Sequence, residues 1–395
     1  MLRSLSLICK IGICFFLIQG CVNGNQKNKT TDSRNNLPVV DLTKDYTEKE
    51  FIADEENKKF IPLETSDQVL AGQYFSVKYL SDQRIVGVNG QLGDIFIFDG
   101  DGKIISYFNH KGNSNREYVS VMYPVFDEKN MELFIVDVPK RRCLAYSEEG
   151  GFLRYFDFPE GFGIGALIDF DDQTLLAYNR YHEGQDADDI HRKMPYLFLS
   201  KKDGSIVSHL DLAFPERRSE MIKAGDRSYP ISGAFAGSSI VKIGKEIIIA
   251  DISTDTVFLL SQDKTLTPLF VRKPSYIQGD KLVMMSIVFK TESYLFIYSQ
   301  TDDLNEMVKL FSGGGSRTLP PIRMLALDLH TDQLYNVKGA LIANCIDVHG
   351  KATVNWSDAF NLKRRLENGR LAGKLKQIAE NIDEDDNPVV EITKY

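Results

Sequence analysis

The residues best able to do chemistry in this chain are few and scattered. His182 and His191 flank Glu183, Asp186, Asp188 and Asp189, and carboxylates at that density could hold a hard cation such as Ca²⁺. The alternating acidic spacing of a calcium loop with its distant glutamate is missing, so a solvated acidic loop is the plainer reading. Arg217, Arg218, Lys223, Arg227 and Tyr229 form a local basic patch, which could clamp a carboxylate or a sulfated group. Arg116-Glu117-Tyr118 is either a ligand contact or a link between repeating units. The other histidines, His110, His209, His330 and His349, show neither HxH nor HExxH spacing. A zinc site assembled from three histidines across a central channel is the alternative. Gly313-Gly314-Gly315-Ser316 lacks the lysine and following helix of a phosphate loop. The expectation is therefore no catalytic residue, no metal and no cofactor. The ligand-binding candidates are Arg116, Tyr118, His182, Arg217, Arg218, Arg227 and Tyr229.

Composition narrows the classes. The chain has 395 residues, 43% of them hydrophobic, and a formal charge of −8. That apolar share excludes wholesale disorder, and the acidic balance argues against a nucleic-acid partner. Met1 to Gly20 reads as an export leader: Arg3 and Lys10 precede an apolar run from Ile11 to Ile18, too short to span a bilayer. The sequence Leu17-Ile18-Gln19-Gly20-Cys21 that follows resembles the bacterial lipobox. That resemblance implies cleavage before Cys21 and its lipidation, with acyl chains anchoring the protein to a membrane. Loss of the leader takes the charge from −8 to −10. Residues 21–55 are polar and read as the lipidated Cys and a flexible tether. Cys143 and Cys345 lie in distant apolar runs and read as free buried thiols.

From about residue 56 to 395 one unit recurs. Short apolar runs end in Asp and Gly turns, the mark of strands rather than helices. Asp94-Ile95-Phe96-Ile97-Phe98, then Asp99-Gly100-Asp101-Gly102, then Lys103-Ile104-Ile105-Ser106-Tyr107 is one copy. Arg142 to Phe156 and Tyr196 to Val207 repeat it, and weaker copies follow Val257 and Met324. The spacing between copies grows from 48 to 67 residues, which suits four-stranded propeller blades lengthened by insertion. These copies give five blades. A sixth takes Leu341 to Ile346, Ala352 to Asn355 and Asn387 to Ile392 from the end of the chain, and Lys59 to Leu63 from its start. Pairing the termini closes the ring and removes exposed edges, and Pro62 suits an outer strand.

The opening Phe60-Ile61-Pro62-Leu63-Glu64-Thr65, the phrase Lys111-Gly112 through Arg116-Glu117-Tyr118, and the ending Asp385-Asp386-Asn387-Pro388-Val389-Val390 resemble the six-bladed β-propeller lipoproteins of Gram-negative gut-type bacteria, relatives in shape of NHL-repeat propellers. Where that family usually carries Gly-Pro in the middle phrase, this chain has Asn113-Ser114-Asn115. The resemblance implies an all-β six-bladed propeller and a place in the cell envelope at the outer membrane.

With the strands of each blade lettered A to D from the axis outward, the A–B and C–D turns are all short. The long segments, residues 179–195, 213–237, 300–323 and 357–386, are all B–C or D–A connections, so the insertions decorate one face. Binding residues concentrate on such loops, which makes that face the expected binding surface. The last insertion reads as helical on both sides of a break at Gly369 to Gly373, with Ser357 as N-cap. The function expected is a tethered binding or scaffold lipoprotein for a glycan, peptide or protein partner. A hydrolase or lyase at the channel mouth is the alternative.

Overall fold

The computed structural model describes residues 37–395 except 73, 181–189, 220, 225, 231–238, 314–317, 319 and 340–344. The leader, Cys21 and His182 lie outside the described residues. Six antiparallel sheets of at least four strands follow one another around a ring: residues 75–109, 122–157, 164–209, 240–273, 281–338, and a sixth that joins residues 345–394 to strand Lys58–Pro62. This is the six-bladed β-propeller expected from the repeat. The third strands, Asp94–Asp99, Arg142–Ser147, Tyr196–Ser200, Thr256–Leu260 and Arg323–Asp328, begin within a residue of the positions the repeat marks.

The sixth blade closes as the termini suggest. Val389–Lys394 pairs antiparallel with Lys58–Pro62, Val390 opposite Ile61. Pro62 sits on the outermost strand, where its missing N–H costs no ladder bond.

The apolar pattern has a packing cause. Strands B and C of each blade are covered on both faces by neighbouring blades. They therefore read as unbroken apolar runs, and Ile95, Phe96, Ile97 and Phe98 are all fully buried. The outer D strands alternate, with Ile105 and Tyr107 or Leu153 and Tyr155 turned outward. The C–D turn glycines serve two ends. Gly102, Gly150 and Gly204 have φ of +86°, +85° and +72°, open to glycine without the Cβ penalty. Each also lies against the outer strand of the preceding blade: a Cβ would stand 2.5 Å from Pro62 O, 2.6 Å from the Phe108 ring and 2.1 Å from the Phe156 ring, respectively. The recurrent glycine thus sets both the turn and the blade-to-blade spacing.

The segment before the ring departs from the expected tether. β1 (Val39–Asp41) pairs parallel with the outer strand of blade 4, and β2 (Glu48–Glu50) with that of blade 5. Val40 and Leu42 are 0% and 1% exposed in the core between those two blades. Lys49 lies over the Tyr294 and Tyr335 rings at 4.5 and 4.7 Å. Two free sheet edges and an apolar seam reward this docking. In sequence it is hidden by three-residue strands and by the charges of Glu48-Lys49-Glu50.

The long insertions all leave the B–C and D–A ends, as expected. Among their described parts are helices α1 (Ile190–Lys193), α2 (Leu304–Phe311), α3 (Ala359–Glu367) and α4 (Gly373–Asn381), and a hairpin of Met221–Ala224 with Arg227–Pro230. α3 and α4 flank the expected break, but the N-cap is Asp358 rather than Ser357. The Asp358 carboxylate accepts the Asn361 N–H at 2.8 Å, whereas Ser357 still pairs with Val389 in the sheet. Trp356 meets the Phe75 ring edge-on inside the core cluster of blades 1 and 6, so blade packing accounts for it. No helix among the described residues is long and apolar enough to cross a membrane.

Candidate functional site

The inner strands of all six blades wall a cavity of about 360 Å³ on the ring axis. It lies in the half of the channel nearer the A–B turns, the face opposite the long insertions. Lys78 and Tyr79 come from blade 1, Val125 and Phe126 from blade 2, Asp169 from blade 3. Val241 and Lys242 come from blade 4, Val288 from blade 5, and Ile346, Asp347 and Val348 from blade 6. The wall is an apolar belt of aliphatic side chains with the Tyr79 and Phe126 rings, interrupted by charges of both signs. Its volume falls in the range of about 300–1,000 Å³ typical of ligand pockets.

Asp169 and Lys242 belong to a charge network that crosses three blades. Lys201 Nζ, 5% exposed in the C–D turn of blade 3, lies 2.6 Å from Asp127 Oδ2 and 2.7 Å from Asp169 Oδ1. Lys242 of blade 4 reaches Asp169 Oδ2 at 3.1 Å and also donates to its carbonyl. Burial alone would raise the Asp127 carboxyl pKa. Hydrogen bonds from Lys201 and Asn130 and the Lys201 charge more than reverse this and hold it below 3.8. Burial works to lower the Lys201 ammonium, and its two carboxylates raise it above 10.5 instead. Tyr79 donates to Glu128 Oε2 at 3.1 Å, and burial together with the Glu128 charge pushes its phenol well up. Asp347 accepts the N–H groups of Lys351 and Ala352 at 2.6 and 2.7 Å. The carboxylates are thus committed to lysines and turn backbones, an arrangement that holds shape and charge rather than one poised to move a proton.

A second, larger cavity of about 900 Å³ opens on the same face between blades 5 and 6. Phe51, Phe289, Tyr294 and Tyr395 form its aromatic wall.

Among the described residues, those singled out from the sequence sit outside this cavity and do not converge on it. Tyr118 is fully buried. Its hydroxyl donates to Gly93 O at 2.6 Å and accepts the His110 N–H at 2.9 Å, which fastens the connection between blades 1 and 2. Arg116 is exposed beside Phe152, and its carbonyl accepts the Tyr146 hydroxyl. Arg217 turns inward: it donates to Tyr178 Oη at 3.0 Å and to the carbonyls of Asn179 and Arg192, both at 3.1 Å. Arg218 donates to Ile252 O at 3.0 Å and stands 3.8 Å from Asp255. Arg227 is exposed on the hairpin; Tyr229 shares its strand, and that side chain lies outside the described residues. Two arginines of the basic patch therefore brace loops. Lys78, Asp169, Lys242 and Asp347, missed in sequence, carry one faint signal: a charge near the end of an otherwise apolar inner strand.

The profile of DUF4934, described as a domain of unknown function, matches residues 37–394. Among solved structures, a protein of Bacteroides fragilis named for its expected export superposes with a TM-score of 0.62 at 15% identity, covering 90% of this chain and 99% of its own. A DUF4221 member from Bacteroides vulgatus gives 0.49 at 11% identity, covering 87% and 97%. Among curated proteins no sequence matches.

Proposed function

The chain belongs to the DUF4934 family, and from that premise we propose that it is a binding lipoprotein of the cell envelope. Cys21 anchors it to the outer membrane, and the A–B mouth of its channel takes a peptide segment of a partner protein. The observation that carries the reading is the channel cavity to which all six blades contribute. Its apolar belt of Val and Ile with the Tyr79 and Phe126 rings suits an apolar side chain. The Lys and Asp groups around that belt suit the charged or amide groups of an extended peptide. The network Lys242–Asp169–Lys201–Asp127 leaves these carboxylates serving as fixed charges, which supports binding over acid–base catalysis. The export expected of the Bacteroides fragilis neighbour accords with an envelope address.

Peptide display against the purified protein tests the binding site. Wild type should enrich sequences with an apolar residue beside a charged one, and Val288→Trp, which fills the channel, should lose them. Equal enrichment by both proteins would remove the channel as the site. The anchor is tested separately: Cys21→Ser should move the protein from the membrane fraction to the soluble one, and continued membrane retention would refute lipidation.

A further inference from the structure

Away from the channel, where the α1 loop meets the outer strand of blade 3, two histidine rings face each other. We propose that His191 and His209 form a two-histidine site for a divalent transition-metal ion of the zinc class, and that the ion staples α1 to that outer strand. His191 Nδ1 and His209 Nε2 are 3.2 Å apart, with the rings within 17° of parallel. Two imidazole nitrogens bound to one tetrahedral zinc at about 2.0–2.1 Å stand roughly 3.3 Å apart. Without an ion the two nitrogens share one N–H···N hydrogen bond whose direction depends on the tautomer. On metal binding the donor ring moves that proton to its other nitrogen, and small side-chain rotations turn both lone pairs toward a shared point, at a spacing that matches the bite of one ion.

Both donors are positioned by the surrounding fold. The His191 carbonyl accepts Asn179 Nδ2 at 2.8 Å, and Asn179 is itself fully buried and accepts the Gly163 N–H at 2.8 Å. The next two carbonyls of α1 are also held, Arg192 by Arg217 at 3.1 Å and Lys193 by the Phe214 N–H at 2.8 Å. Phe162 stands edge-on to the His191 ring. His209 is fixed by its ladder pairing opposite Leu197. Preorganised donors of this kind lower the ordering cost of binding. Imidazole donors select zinc, copper or nickel over calcium and magnesium, which prefer oxygen. Among the described residues no third His, Cys, Asp or Glu completes a set.

The test titrates the full lipid-free chain with zinc chloride alone, by calorimetry. One zinc should bind per chain, and His191→Ala and His209→Ala should each weaken it by at least the about tenfold that loss of even an outer-shell partner costs. His330→Ala, in an exposed turn of blade 5, should bind as wild type. Copper(II) in the same protein should show splitting from two nitrogens in its electron paramagnetic resonance spectrum, reduced to one in each variant. Melting in EDTA checks that the variants fold, and His209→Gln replaces alanine where it lowers that melting point. Absence of saturable zinc uptake, or uptake unchanged in both variants, overturns the site.

Discussion

Asn387 and Ala71 stand 316 positions apart in sequence and share a hydrogen bond of 2.7 Å, from the Ala71 N–H to Asn387 Oδ1. The other end of the same amide donates to Glu64 O at 2.7 Å and Val69 O at 2.9 Å. One buried side chain from the end of the chain thus holds the loop that leads from the closing strand into blade 1. Asn387→Leu would strand one buried N–H and two carbonyls, each costing about 1–3 kcal/mol when unsatisfied. The expected destabilisation is about 3 kcal/mol or more in urea unfolding. A loss below about 1 kcal/mol would show that closure does not depend on this amide.

Lys201→Met should be among the costliest single changes in the ring. It leaves Asp127, 3% exposed, without its counter-ion, and breaking a buried pair costs about 3–5 kcal/mol. The pH dependence has a definite sign. The Asp127 pKa is depressed in the folded state, so its contribution is present above the unfolded value near 3.8 and is lost as pH falls through the folded one. The Lys201 pKa is raised, so its contribution is full below 10.5 and is lost as pH rises through the folded value. The gap between wild type and variant should stay level between about pH 5 and 9 and close below pH 3.8. A gap that widens on acidification would contradict the pairing.

Gly150 and Gly369 both have positive φ, +85° and +64°, but only Gly150 faces another blade. A Cβ at Gly369 meets nothing within 4 Å, whereas at Gly150 it stands 2.6 Å from the Phe108 ring. Gly369→Ala should cost about 1 kcal/mol, the backbone term alone. Gly150→Ala should cost about 1–3 kcal/mol more, as overpacking does. Equal losses by calorimetric melting would show that the glycine answers to the turn and not to blade spacing.

What could be read in the sequence follows from what two-sided burial does to it. The unbroken apolar runs Ile95 to Phe98 and Tyr196 to Leu199 announce strands, so blade count and the closure by Phe60 to Leu63 are legible in the sequence alone. The channel site was not. Lys78, Asp169, Lys242 and Asp347 are separated by 73 to 105 residues and meet only because six inner strands converge on one axis. The basic patch shows the converse: Arg217 is close in sequence to Arg218 and Arg227 but turns inward to carbonyls that arrive from Asn179 and Arg192. Loop length locates the decorated face, and the channel cavity lies near the other one, beside the A–B turns.

The docked segment before the ring gives the last prediction. Val40 and Leu42 enter the core between blades 4 and 5, and β1 pairs with Val271, Arg272 and Lys273. A tether would tolerate a charge at position 40 with no more than about 0.5 kcal/mol of change. At a site 0% exposed, Val40→Asp places a carboxylate in the apolar cluster between the two blades. It should either cost about 3 kcal/mol or expel β1 from the sheet. Hydrogen exchange separates these outcomes from the neutral one: in the variant the Val271 N–H, now bonded to Pro38 O at 2.9 Å, should lose its protection. Unchanged stability together with unchanged protection would return residues 37–50 to the role of a linker.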